Sequence, residues 1–411
     1  MLKSRVISCS LSPNTEADDV FKAVTTLFSP WVWKRGKEQP HVAQWFKDYF
    51  HTETVALCNS GRSALLTILQ AFDIRNGDEV IIQAFTCVAV PNSVLWAGAK
   101  PVFADIDDTL NIDSTDIEKK ITKRTKAIIV QHTFGVPAHM DTIVPLAKKH
   151  GLILIEDCAH SLGASYKGKK IGTFGDAAFF SFGRDKVVSS VWGGAAIIND
   201  KCQMTNAKWK LKKIENELPK PSYFWIFQQL LHPIAFSLIL PLYDVWIGKI
   251  LLFLLQKMKL LSLPVSSQEL VGGKPIDFPA QFPNALAAIL VNQLNKLKRY
   301  NRQRQEIASL YRASLEHRKD IHVIDASPES IYLRFPILVN TPSIYLKRAR
   351  KQGILLGNWY HNIIDPNDVS FEAFGYKEGS CHNAEDAACR MINLPTRISP
   401  DDAQKVLSVL V

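Results

Sequence analysis

"LILIEDCAHSLGASYKGKKIGTFGDAAFFSFGRDKVVSSVWGGAAIIND", residues 152–200, decides the fold of this 411-residue chain. It opens on an apolar run that ends in two carboxylates, Glu156 and Asp157. A second apolar run, Ala177–Phe182, leads into a short polar segment carrying one lysine, Lys186. A third, Ala195–Ile198, follows the Gly193-Gly194 pair. Short apolar runs bounded by turn residues read as buried strands. Only a tight segment separates the last two, so that pair is expected to be antiparallel.

Working outward, the same alternation fills residues 50–200. Strands are expected at Thr54–Cys58, Glu79–Gln83, Pro101–Ala104, Ala127–His132 and Leu152–Asp157. Helices are expected at Gly61–Phe72, Asp113–Lys119 and Met140–His150. Strands alternating with helices imply an α/β fold with a mostly parallel sheet covered on both faces. Residues from about 205 to 265 break the pattern with basic, then strongly apolar, then basic sequence. A long helical stretch, "FPNALAAILVNQLNKLKRYNRQRQEIASLYRASLEHR", follows. Beyond it lies a smaller α+β part with a strand in "IYLRFPILV", a helix in "SIYLKRARKQG", a strand or loop near "ILLGNWY" and a closing helix capped by Ser399 with Pro400 at its first position. The expected division is a large α/β domain, 1–275, with the apolar helical insertion inside it, and a small α+β C-terminal domain, 276–411, that starts with the long helix.

Hydrophobic residues make up 47% of the chain and charged residues 21%, a globular balance. The net charge of +10 favours anionic partners, either phosphorylated small molecules or an anionic membrane surface. There is no arginine-rich arm or nucleic-acid motif, so nucleic acid is not expected as a partner. Seven cysteines without CxxC or metal-ligand spacing suggest reduced thiols in the cytoplasm. The N-terminus lacks an apolar signal core, so no export is expected, and no metal site is read.

Ligands of open α/β sheets bind beyond the carboxyl ends of the strands. Gly61, Arg62 and Ser63 lie there, between a strand and a helix, where backbone amides can hold a phosphate; a strand-to-helix turn would need the glycine in any case. Asp157 ends a buried strand, where a carboxylate is costly without a partner; it reads either as a helix cap or as the partner of a cation. Lys186 comes 29 residues later, flanked by Ser181 and Arg184. A lysine near an aspartate and a phosphate loop is the set a Schiff-base cofactor needs: the amine attacks an aldehyde, and the carboxylate holds a pyridinium so that the ring serves as an electron sink.

The ordered segments "NSGRSALL", "GDEVIIQAFTCVAVPNSVLWAGAKPVFADID", "EDCAHSLGASYKGKKIGTFGDAAFFSFGRDK" and "GGAAIIND" resemble the DegT/DnrJ/EryC1/StrS family of pyridoxal-phosphate sugar aminotransferases. The likeness is close over 50–200 and weaker over 280–411. It implies the type I pyridoxal-phosphate-dependent transferase (aspartate aminotransferase-like) fold, pyridoxal 5'-phosphate as cofactor and a homodimer. It also implies amino transfer from glutamate or glutamine to a nucleotide-linked keto-sugar, as in cell-surface polysaccharide or glycolipid synthesis. By the resemblance, Lys186 forms the Schiff base and moves the proton, and Asp157 pairs with the ring nitrogen. His160 lies near the ring oxygen, and Ser181 holds the phosphate with Gly61, Arg62 and Ser63. Relatives that deoxygenate sugars replace the lysine with histidine, so the retained lysine favours transamination over a dehydratase. Two positions depart from the family. Cys87 stands where an aromatic often stacks on the ring, and Phe85, two residues earlier on an extended strand, is the expected substitute. Pro279 and Gln281 stand near an Asn and an Arg that reach across the dimer, which also keeps a catalytically silent regulatory relative as an alternative. Trp192, Trp359, Tyr360 and His361 are further candidates on the acceptor side.

Within the insertion, Ile234–Gln256 is apolar over membrane-spanning length, but Pro241, Asp244 and Lys249 interrupt it, and a single crossing would split the fold. A surface-lying or re-entrant helical pair, hinged near Pro233 or Pro241, avoids this. Lys208, Lys210, Lys212, Lys213 and Lys220 before it, with Lys257 and Lys259 after it, suit contact with the inner face of a membrane through 223–261; burial against protein is the other reading.

Overall fold

The computed structural model describes residues 6–243 and 246–410. Its centre is a seven-stranded sheet of β1 (Thr54–Cys58), β2 (Glu79–Gln83), β3 (Lys100–Ala104), β4 (Thr125–Gln131), β5 (Ile153–Asp157), β6 (Ala177–Ser181) and β7 (Gly194–Ile198). The spatial order is β1-β7-β6-β5-β4-β2-β3. Six strands share one direction, and β7 runs antiparallel to both neighbours, β1 and β6. The antiparallel end read from the tight Lys186 segment is therefore present. β1, β2 and β7 are buried along their whole length, as the unbroken apolar runs require of a sheet covered on both faces.

Glycine lets β7 enter this sheet. A Cβ on Gly194 would stand 2.4 Å from the Ser60 carbonyl oxygen and 2.7 Å from the Gly61 nitrogen, so any side chain there would push the strand off the turn after β1.

Helix α1 (Ala17–Leu27) precedes the sheet, and α2 (Gly61–Ala71) follows β1, capped by Ser60, whose Oγ accepts the Ser63 N–H. After β7 come α3 (Thr205–Glu217), α4 (Tyr223–Ile239) and α5 (Ile247–Lys257). α4 passes through Pro233 unbroken, and a 3₁₀ turn at Leu240–Leu242 separates it from α5, so the hinge lies at Pro241. Asp244 lies outside the described residues. Among those described, Tyr223–Leu242 is long and apolar enough to cross a membrane, but half of it is buried within the fold.

The helical stretch read as continuous is two helices, α6 (Asn284–Leu294) and α7 (Leu297–Leu315). α6 is buried almost all round, packed with the strands of the large sheet. α7 buries one stripe, and its Tyr311 packs on Phe335 of the smaller sheet. That antiparallel sheet consists of β8 (Ile321–Val323), β9 (Phe335–Val339) and β10 (Met391–Leu394). The closing helix, Pro400–Ser408, has the Ser399 cap and the Pro at its first position read from the sequence. A short parallel pair, Thr86–Cys87 with Ile364–Asp365, ties the loop after β2 to the C-terminal part.

Candidate active site

A cavity of about 550 Å³ opens at the carboxyl edge of the six co-directional strands. Ser60, Gly61 and Arg62 reach it from the turn after β1, Cys87 from the loop after β2, Gln131 from the end of β4, Asp157 from β5, and Ser181 from β6. His160, Arg184 and Lys186 complete this wall.

Glu156 and Asp157 are adjacent on β5, so they face opposite sides of the sheet. Glu156 accepts the N–H groups of Gly172, Phe174 and Gly175 at 2.7–2.8 Å and lies 3.3 Å from His132 Nε2. Those donors and His132 hold its carboxyl below the usual range despite burial. Asp157 faces the cavity, equally buried, and accepts one N–H, from Ala159 at 2.9 Å. Burial pushes its pKa up to about 6. Glu156 is a satisfied structural carboxylate, while Asp157 has no ion pair among the described residues.

Lys186 Nζ lies 2.9 Å from His160 Nε2. Burial drives the His160 pKa well below its ordinary value, so the ring is neutral and carries one N–H. Its Nδ1 lies on the other side of the ring, 3.3 Å from the Phe134 N–H. The backbone around the lysine is pinned: Asn14 Nδ2 donates to the carbonyls of Lys186 (2.5 Å) and Val187 (3.1 Å), and buried Arg304 donates to Val187 and to Asn14 Oδ1. Asp185 pairs with Arg334 at 2.7 Å, and the Arg334 guanidinium stacks 3.2 Å over the Trp359 ring.

The turn after β1 differs from the expectation in detail. Gly61 presses on β6, where an added Cβ would lie 2.7 Å from Ser181 Cβ. Ser63 is spent inside the turn, its Oγ donating to Asn59 Oδ1 at 2.8 Å; Ser60, not read from the sequence, lines the cavity instead. Arg62 is committed as well. It forms a buried ion pair with Glu269, donates to the Pro264 carbonyl at 2.8 Å and lies over the rings of Trp192 and Phe278. Arg184 is the freer cation. Its Nη2 donates to the Ser262 carbonyl and hydroxyl at 2.6 Å, while its buried Nε has no hydrogen-bond partner among the described residues.

Phe85 corrects the sequence reading. The extended strand that would have put it on the same face as Cys87 is broken, because Phe85 has φ +68°. Its ring is fully buried, edge-on to Phe134 (6.1 Å) and Tyr360 (5.3 Å), behind the cavity wall rather than in it. Cys87 does face the cavity. His160 also lines it, its ring near-parallel to those of Phe134 (5.9 Å) and Tyr360 (6.2 Å), which lie 5.6 Å from each other.

Of the acceptor-side candidates, Trp192, Trp359 and Tyr360 line the cavity, whereas His361 is tied to Asp365 at 2.7 Å outside it. Pro279 and Gln281 do not line it. Sequence reading also missed residues of the insertion. His232, Phe236, Leu252 and Gln256 roof the cavity, with Ser12 Oγ 2.8 Å from His232 Nε2 and His232 Nδ1 buried with no hydrogen-bond partner among the described residues. No local signal marks these residues, because the contact depends on how α4 and α5 fold back.

A lysine facing a buried aspartate at the strand ends, with a glycine turn and a serine alongside, defines the lysine-bearing class of α/β transferases. The chain belongs to the DegT/DnrJ/EryC1/StrS aminotransferase family, which it matches over residues 14–214 and 255–411. It is 40% identical over 176 residues to the GDP-perosamine synthase of Escherichia coli O157:H7, covering 43% of this chain and 48% of that one, so the matched part is about half of the relative's length. It is 31% identical over 345 residues to a pleiotropic regulatory protein of Geobacillus stearothermophilus, covering 82% and 78%. The E. coli GDP-4-keto-6-deoxy-D-mannose-3-dehydratase, solved with bound hydrated PLP, has the same fold, with TM-score 0.74 and 21% identity over the whole of both chains.

Proposed function

We propose that this protein is a pyridoxal-phosphate-dependent aminotransferase that moves an amino group from glutamate or glutamine to a nucleotide-linked keto-sugar. The observation that carries the reading is the pair Asp157 and Lys186 in one cavity: a buried carboxylate with no ion pair among the described residues, and an amine held 2.9 Å from His160 Nε2. Asp157 would hold the ring nitrogen, Lys186 the aldehyde carbon, and Ser60, Gly61 and Ser181 the phosphate. Arg184 is the cation placed to join them, in the role the sequence had given to Arg62. When bound, the cofactor supplies an electron sink for the carbon that loses or gains its proton. Lys186 is the base that moves that proton, and His160 Nε2 orients its amine. His160 and Tyr360, lying near-parallel, close one wall of the cavity and keep water from the amine.

The likeness to the perosamine synthase, whose name describes a nucleotide-linked amino sugar, supports a nucleotide sugar as acceptor. The placing of the reaction in cell-surface polysaccharide or glycolipid synthesis, on the cytoplasmic side, belongs to the same reading. So does a homodimer, for which exposed Phe21, Phe28 and Trp31 offer apolar surface. The regulatory relative keeps a silent role as the second reading. Incubation with the cofactor, glutamate and a panel of nucleotide keto-sugars, read by mass, separates the two. An amino-sugar product is expected; no product with any acceptor, from protein that carries the cofactor, would favour the silent role.

A further inference from the structure

The family match leaves out the residues between 214 and 255, and this unmatched segment forms α4 and the larger part of α5. α5 is apolar on both sides. Inward, Leu251, Leu252 and Leu255 pack with Phe236, Ile239 and Leu261. Outward, Trp246, Ile250, Phe253 and Met258 stand 69%, 56%, 60% and 65% exposed, with Ile247 and Leu254 beside them. A helix apolar all round is normally buried, and a contiguous exposed apolar stripe marks a contact surface.

Charge decides between partners. Residues 246–263 contain three lysines, Lys249, Lys257 and Lys259, and no carboxylate. None of the three has an ion pair among the described residues, and Lys249 Nζ lies 4.5 Å over the Trp246 ring and 5.2 Å over Tyr243. The basic flank upstream is different from its sequence reading: Lys208, Lys210, Lys212 and Lys213 are paired with Asp200, Asp73, Glu215 and Glu217. A second copy seated on this face about a two-fold axis would bring the lysines toward their own copies, with no carboxylate on the segment to answer them. A surface of anionic headgroups over hydrocarbon satisfies both the lysines and the stripe.

We propose that α5 docks this protein, lying flat, on an anionic phospholipid bilayer. The same helix turns Leu252 and Gln256 into the cavity, and Leu263, 61% exposed, lines the cavity mouth. Docking therefore seats the mouth at the headgroup level, where an acceptor sugar is received from, or its product passed to, membrane-bound machinery. The docking itself is independent of the aminotransferase reading.

The test is flotation of the full chain, loaded with pyridoxal phosphate, with vesicles of phosphatidylcholine alone or mixed with phosphatidylglycerol. Wild-type protein is expected to float with the mixed vesicles and to be released at least several-fold by high salt. Ile250→Glu/Phe253→Glu should cut the floated fraction at least tenfold, while Lys249→Glu/Lys257→Glu should weaken it on mixed vesicles alone. Neither pair touches the cavity, so the cofactor's visible absorbance and the solution mass should match wild type and certify the fold. Brominated lipid should quench wild-type fluorescence more than that of Trp246→Phe. Wild-type protein that stays at the bottom with mixed vesicles overturns the proposal. So does a double variant that lowers the solution mass, which would make the face a contact between copies.

Discussion

The sheet-edge crevice and the α4–α5 pair enclose one cavity from two sides, and they break opposite rules. In the crevice, polar groups are buried: among the described residues the Asp157 carboxylate has one donor, and Arg184 Nε has no partner. On α5, apolar groups are exposed: Trp246, Phe253 and Met258 stand in solvent. Buried polar groups without matching partners mark where a ligand supplies the missing contact, and exposed apolar groups mark where a surface does. The family match takes in the crevice and leaves most of the roof outside it.

Five substitutions sharpen that contrast. The largest effect is expected in the crevice. Lys186→Ala should abolish the cofactor's visible absorbance band and lower turnover by roughly 10⁴-fold with unchanged circular dichroism. Next is the ion pair beneath the roof. Arg62→Met leaves Glu269 buried and unpaired, and urea unfolding should show a loss of about 3–5 kcal/mol. Arg62→Met/Glu269→Met should recover most of it and bind cofactor nearly as wild type does. If the double variant still fails to bind cofactor, Arg62 is a ligand rather than a strut.

Asp157 comes third, through pH. Its pKa is raised from the model-compound value of 3.8 to about 6. In cofactor-free protein the Asp157 contribution to stability should therefore be fully present below pH ~4 and fall by up to about 3 kcal/mol as pH rises through ~6. Asp157→Asn should remove this slope, making the cofactor-free fold more stable than wild type at pH 8 while weakening cofactor binding. The smallest effect belongs to Phe85. Because its ring sits behind the wall, Phe85→Leu should cost roughly 1–2 kcal/mol in urea unfolding and leave the absorbance band in place.

The crevice was legible in the sequence because its parts are local. Strand ends, a glycine turn and a lysine between two strands are set by short-range patterns, and the β6–β7 reversal followed from the short connection alone. The failures have two causes. Phe85 was placed by strand alternation, which a single left-handed residue undoes. Arg62 was read as a cation for the phosphate, but Glu269, 207 positions later, claims its charge. The upstream lysines looked like a membrane flank until Asp73 and Asp200 met them. For Arg62 and Lys210 a partner distant in sequence outweighed the local signal, whereas for Phe85 the local backbone itself left the strand. The roof residues His232 and Leu252 depended on the same kind of long-range closure.

The central claim is that Lys186 is the amine that joins the cofactor, and covalent trapping tests it most directly. Protein incubated with pyridoxal phosphate, reduced with borohydride, digested and read by mass should carry one cofactor adduct, on Lys186. An adduct on another lysine, or none, would contradict it.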